Sequence, residues 1–285
     1  MNTTASQPRA SETCRTLECE VVAYSALRFT PDDVNALRKK SKELPGDLGN
    51  SLLRHTDEQT LAALATVKDA IQQFPQATSE YRDWGVVCSS RYLGRTAFAQ
   101  SLVKFAAEGP WNVSVQVVPN RSLHSPASMV GLALGCHGPC VGVGGGLDGE
   151  TDAWITATSL LDNPSVAGMW MIFCGWEPDE LIDTEGDALR ESRCTALAVA
   201  LQPLTASSGD ARMRIRYDTA APTDLAVPAK KTALSRFDAL LSGTTKPLVA
   251  MLGGGLRVEW DALPIPMTST IPLSIGTNEE KKKAA

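Results

Sequence analysis

Histidine is nearly missing from this chain: His55, His124 and His137 are the only three in 285 residues, so imidazole acid–base chemistry has no source after residue 137. Also missing are the short signatures that announce common chemistries. The sequence has no G-x-S-x-G elbow, no G-x-x-x-x-G-K-[ST] loop and no H-E-x-x-H, so hydrolase, P-loop and metalloprotease readings have nothing to rest on. An excess of positive charge is absent too. Lys and Arg number 27 against 32 Asp and Glu, a net charge of −5, which argues against a general attraction to nucleic acid or anionic lipid. Long apolar runs are lacking: the longest, Val166 to Trp176, is about half the roughly 20 residues that cross a bilayer, so no membrane span is expected. Residues 1–18 are polar, without the apolar core of an export signal, and read as a disordered lead-in.

What is present describes a globular α/β protein. With 43% hydrophobic and 21% charged residues, the chain can bury a core as one large domain or two unequal lobes. Seven cysteines (14, 19, 88, 136, 140, 174 and 194) are an odd number scattered through a long sequence, which fits reduced thiols in a cytoplasmic protein better than a disulfide framework. Apolar and β-branched runs predict strands at Cys19 to Tyr24, Trp84 to Cys88, Val113 to Val118, Cys140 to Val143, Met169 to Cys174, Cys194 to Leu201 and Met213 to Tyr217. Between them, helical spacing predicts Pro31 to about Leu44, Glu58 to Phe74 capped by Asp57 or Thr56, Leu93 to Glu108, Ser125 to Leu134, Asp148 to Leu161 and Lys230 to Leu241. Such alternation predicts a layered α/β architecture. Two linkers, Gln202 to Ala211 and Ala220 to Ala229, divide a domain at 19–219 from a smaller portion at 220–277 that packs on it, and 278–285 reads as a disordered tail.

The densest stretch runs from Ser122 to Glu177. A helical segment ends at Gly138-Pro139, an apolar strand follows at Cys140 to Val143, and then come Gly144-Gly145-Gly146-Leu147-Asp148 and a second helical segment. In order and spacing this resembles the nucleophile segment of the β-ketoacyl synthases, of the thiolase superfamily. Trp84-Gly85-Val86-Val87-Cys88-Ser89-Ser90 resembles their early strand and turn, and Val117-Val118-Pro119-Asn120 the turn before the Gly-Pro helix. Thr151 to Leu161, Met169 to Glu177, the paired Thr195 to Pro203 and Met213 to Asp218, and a late helix with Phe237, Leu240, Leu241 and Gly243 follow in the family's order. Gly253 to Trp260 is similar to the short ketosynthase-like proteins of aryl-polyene clusters. The resemblance implies a thiolase-like fold of helices packed on mixed five-stranded sheets, with the C-terminal half truncated or rudimentary.

Departures from the family pattern decide the functional expectation. The family's nucleophilic cysteine lies eight residues after the proline, and here that position is Leu147, which has no lone pair and cannot be acylated. The family's two catalytic histidines come from the C-terminal half, where this chain has none. The resemblance therefore implies a catalytically silent accessory subunit, similar to a chain-length factor, in polyketide or fatty-acid assembly. Its implied partners are an active ketosynthase and an acyl carrier protein, and no cofactor is implied. Such subunits dimerise, with themselves or a partner, through the strand before the elbow, which places Cys140, Val141, Val143, Gly144 and Leu147 at an interface or acyl channel. Two other functions stay open: an acyltransferase or thioesterase using Cys136, Cys140 or Cys174, and a homodimeric acyl- or lipid-binding protein.

Other eye-catching residues have plainer explanations. Gly144 to Gly149 matches G-x-G-x-x-G between strand and helix, but Asp148 and Glu150 already place negative charge where a pyrophosphate would sit. Cys136, His137 and Cys140 supply three soft ligands where a closed zinc site needs four. His124 cannot face its neighbour Ser125 on a helix, and Ser122 or Ser125 reads as a helix cap. Trp154, Trp170, Trp176 and Trp260 read as core or interface aromatics. The acidic run Glu177 to Glu191 reads as a solvated loop ill suited to an acidic carrier protein, whose contacts must come from Arg or Lys elsewhere.

Overall fold

The computed structural model describes residues 15–40, 44–75, 80–144, 149–179, 182–187, 192–204, 212–217, 248–251 and 256–260. Eight strands, β1 (Arg15–Phe29), β2 (Trp84–Ser90), β3 (Cys140–Val143), β4 (Gly168–Glu177), β5 (Arg193–Pro203), β6 (Arg212–Tyr217), β7 (Leu248–Met251) and β8 (Leu256–Trp260), form one sheet in the order β3-β2-β4-β5-β1-β6-β8-β7. β2 pairs in parallel with β3 and β4, and every other pairing is antiparallel. The first five strands in that order are the mixed five-stranded unit expected from the sequence; β6, β8 and β7 widen it on the β1 side.

Among the described residues seven α-helices accompany the sheet: α1 (Pro31–Leu37), α2 (Asn50–His55), α3 (Glu58–Gln73), α4 (Arg95–Glu108), α5 (Val117–Asn120), α6 (Ser125–Leu134) and α7 (Gly149–Leu161). α3 and α6 cover one face, over Trp84, Val86, Trp170, Ile172 and the alternate small residues Cys194, Ala196, Ala198 and Ala200 of β5. Alanine at every second position of β5 meets Ala62, Ala63 and Ala70 of α3, so helix and sheet approach closely. α7 covers the other face, where Ala153, Trp154, Ala157 and Leu161 pack on Val87, Met169, Met171 and Phe173. Strands β2, β4 and β5 are buried on both faces, which is why they read as continuous apolar runs and not as alternating ones.

β1 serves both faces through one irregularity. Its register against β5 shifts between Val21 and Ala23. Before the shift, Cys19 and Val21 face the α7 side; after it, Ala23 and Phe29 face the α3 side. Strand side chains alternate with period two, so one extra residue exchanges the faces.

Several expectations are corrected. β1 begins at Arg15, inside the segment read as a lead-in, because Arg15 to Glu20 pair with β6 and Glu18 binds Arg214 at 2.7 Å. Val113 to Val118 forms no strand despite its apolar alternation. The Ser114 hydroxyl accepts a hydrogen bond from the Gln116 N–H in a turn, and α5 follows. The first helix ends at Leu37, well short of Leu44. Its start is as expected, with Pro31 in the first turn and Thr30 and Asp33 forming a reciprocal cap. α2, β7 and β8 were not anticipated. The expected helix at Lys230 to Leu241, the linker at 220–229 and the tail at 278–285 lie outside the described residues.

Candidate functional site

The family-like elbow is the junction of β3 and α7. β3 runs parallel to β2 in the register Val86 to Cys140 through Ser89 to Val143, so it ends beside Ser89 and Ser90 at the carboxyl end of the sheet's parallel strands. Ligand crevices in open α/β sheets form at such strand ends. Gly144 leaves β3 with φ +75°, a left-handed conformation that glycine adopts without strain. A Cβ built there would strike the Cα of Gly149, and one built on Gly149 would lie 2.7 Å from Ser89 Oγ. The two ends of the join, Gly144 and Gly149, therefore touch. Gly145 to Asp148, Leu147 included, lie outside the described residues. Whatever their conformation, the join from Gly144 to Asp148 contains no thiol and no hydroxyl.

Cys140, Val141 and Val143 are half-buried on β3, whose outer side pairs with no strand among the described residues. Gly142 lets the preceding segment cross it: a Cβ there would collide with the carbonyl of Leu123. A second close approach lies next to it, where a Cβ on Gly131 of α6 would press on Cys140 Sγ. Glu150 and Asp152 occupy the first turn of α7 and complement its dipole; Asp148, the other acid named from the sequence, lies outside the described residues.

The remaining cysteines are poorly set for nucleophilic work. Cys88, Ser90 and Cys174 form a buried cluster across β2 and β4, with Sγ to Sγ at 3.9 Å and Ser90 Oγ to Cys174 Sγ at 3.2 Å. The hydrogen bond with Cys88 and complete burial hold the Cys174 thiol well above its ordinary value. Burial, helped by neighbouring Cys140, pushes Cys136 up to about 12, and burial also raises Cys140 against the opposing backbone N–H of Val86. Thiols raised in this way hold little thiolate at neutral pH. All three histidines are exposed. His124 precedes α6 but the helix has no side-chain cap; the Ser125 hydroxyl donates instead to the Pro119 carbonyl at 2.6 Å, which corrects the expected serine cap. Among the described residues no three His, Cys, Asp or Glu side chains converge to hold a metal ion.

Trp154 and Trp170 are core residues and Trp176 packs half-buried against the α3 face; the Trp260 side chain lies outside the described residues. The acidic loop is partly tied down. Asp179 pairs with Arg91 at 2.6 Å, and Asp187 accepts from Gln100 at 3.0 Å. A cavity of about 270 Å³ opens between α7 and the outer strands, lined by Leu17, Ile155, Thr158, Ser159, Asp162, Ile215 and Leu256. Drug-sized ligands fill about 300–1,000 Å³, so it is small for a lipid. No helix among the described residues is long and apolar enough to cross a membrane.

One polar centre had no signal in the sequence beyond a helix cap. Asp57 caps α3, accepting from the Gln59 N–H at 2.9 Å, and lies 3.8 Å from Arg121 Nε. Arg38 spans the same corner, binding Glu58 and the carbonyls of Leu53, Arg54 and Thr56. Burial, reinforced by Glu58, raises Asp57 to about 7, against the lowering by the Gln59 N–H, Arg121 and Arg38.

These features define a mixed-sheet α/β protein whose thiolase-like fold has a counterpart among solved structures. The chain is similar to a structure of the ketosynthase ApeO in complex with its chain length factor ApeC from Xenorhabdus doucetiae, at 13% identity and a TM-score of 0.52, covering 86% of this chain and 99% of that one. It also resembles the ishigamide ketosynthase/chain length factor, at 15% identity and a TM-score of 0.48, covering 68% of this chain and 65% of that one. A third likeness is to AntDE:AntF, a type II polyketide synthase acyl-carrier protein in complex with its ketosynthase bound to the hexaketide, at 12% identity and a TM-score of 0.47, over 66% and 64% of the two chains. No protein-family model and no curated protein matches the sequence. The fold is ketosynthase-like, of the thiolase type.

Proposed function

We propose that this chain is a catalytically silent ketosynthase homologue, a cytoplasmic accessory subunit of the chain-length-factor kind. It pairs with an active ketosynthase in polyketide assembly of the aryl-polyene type, or in fatty-acid assembly, and an acyl carrier protein serves the pair. The observation that carries this reading is the join between β3 and α7, whose flanking Gly144 and Gly149 touch and whose sequence has Leu147 where the family has its cysteine. The absence of histidine after residue 137 supports it. So does the likeness in fold, over 99% of its length, to a chain from a ketosynthase bound to its chain length factor. Leu147 then acts as a wall or plug of the partner's acyl channel, and β3 is the strand through which the subunits join. Acyl transfer through Cys136, Cys140 or Cys174 is disfavoured by the raised thiols.

The test is co-expression with each β-ketoacyl synthase encoded in the source genome, followed by affinity capture and light scattering. A stable mixed pair is expected, and purification of only a homodimer without affinity for any synthase would refute the accessory role. Incubated with acyl-carrier thioesters, the chain should keep its intact mass; an acyl adduct on a cysteine would instead favour the transferase reading. A Leu147→Cys variant should still show no condensation, because restoring sulfur does not restore the missing imidazoles.

A further inference from the structure

The cavity of about 270 Å³ beside α7 arises from a mismatch between the sheet and its cover. β6 and β8 widen the sheet beyond β1, whereas α7 lies over β2, β3 and β4. A helix about 10–12 Å across spans little more than two strands set about 4.8 Å apart, so a step is left beside it. Three adjacent strands supply the apolar part of that step: Leu17 of β1 pairs with Ile215 of β6, and Leu256 of β8 lies alongside. Ile155 of α7, 38% exposed, adds a fourth aliphatic side chain.

The polar part is the last turn of α7, and it is rich in acceptors. The Thr158 hydroxyl spends its hydrogen on the Ile155 carbonyl at 2.9 Å, which leaves its lone pairs for a ligand. Ser159 adds a second hydroxyl and Asp162 a carboxylate. A helix carries the negative end of its dipole at its last carbonyls, and α7 has no basic residue in its last turn to offset it. No Lys, Arg or His lines the cavity either. We propose that this cavity binds a small primary alkylammonium ion, its chain on the aliphatic side chains and its –NH3+ group at the end of α7. The inference goes beyond the accessory-subunit reading and does not depend on it.

Size and charge select this class. About 270 Å³ equals roughly nine water volumes at about 30 Å³ each, which suits a chain of about six carbons with its head group. An ammonium has three donors and no acceptor, matching two hydroxyls and a carboxylate. A carboxylate ligand of equal length would meet Asp162 and the negative helix end, and both repel it.

The experiment titrates the full chain with n-hexylammonium chloride, n-butylammonium chloride, sodium n-hexanoate and ammonium chloride at fixed ionic strength, following methyl resonances by NMR. Saturable shifts of the Leu17, Ile155, Ile215 and Leu256 methyls are expected with hexylammonium. Butylammonium should bind more weakly, by up to about fourfold per methylene lost, and hexanoate and ammonium chloride should produce no saturable shift. Asp162→Asn should weaken hexylammonium binding at least tenfold, and Ile155→Trp should abolish it by filling the space. Both positions are exposed, so both variants should fold, which melting temperature verifies. Hexanoate binding as tightly as hexylammonium would overturn the proposal without recourse to any variant. So would an unchanged affinity in Asp162→Asn, shifts confined to other methyls, or no saturation up to the solubility limit. None of these outcomes alters capture of a ketosynthase, which tests the accessory role separately.

Discussion

Asp57 shows how a single buried carboxyl ties stability to pH. Burial is the largest influence on it, followed by the like charge of Glu58, and together they outweigh the Gln59 N–H, Arg121 and Arg38. The folded protein therefore keeps a proton on Asp57 up to about pH 7, whereas the unfolded chain releases it near pH 4. Between those values the folded state binds the extra proton, so this group's contribution is full below pH 4 and is lost as pH rises through 7. Asn caps helices as well as Asp does and cannot ionise. Asp57→Asn should accordingly flatten the fall in melting temperature between about pH 4 and 7, and superimposable profiles for the two proteins would show that Asp57 is ionised throughout. The sequence revealed the cap but not the titration, because burial against Arg121, more than 60 positions away, is a property of the folded chain alone.

At the scale of elements, crossings of backbone on backbone matter most. Gly142→Ala puts a methyl group into the Leu123 carbonyl, a neighbour that cannot rotate away, and should destabilise the fold by about 1–3 kcal/mol or more. Gly131→Ala meets only the Cys140 thiol, so it should cost less and be largely rescued by Cys140→Ala; denaturant midpoints of the three variants provide the check. β2 to β5 are legible in the sequence because each is an apolar run bounded by turn residues. Val113 to Val118 misled because alternation records only which residues are apolar; without a neighbouring strand to pair with, the segment turns and leaves Val115 and Val118 outside. The shift in β1 was equally hidden, since Val22 does not differ in kind from the residues around it.

For the whole molecule, the eight-stranded sheet makes β7 and β8 part of the structural body and not an appendage. Leu256 and Val258 are buried on the α7 side, and β8 pairs with β6 along its length. A chain ending at Pro247 should lose about 3–6 kcal/mol from those two side chains alone, at about 1.5–3 kcal/mol each, and expose β6 as a new edge. Urea unfolding and size-exclusion chromatography would reveal the loss; a truncated chain as stable and monodisperse as the original would show that these strands are dispensable. Strand order also governs how the protein is made. Of the described strands β1 is translated before the rest, yet it ends up between β5 and β6, which follow only after β2, β3 and β4. At about 5–20 residues per second, that delay is on the order of ten seconds or more, with both rims of β1 unmatched. A slower-translated message should therefore raise the aggregated fraction during expression.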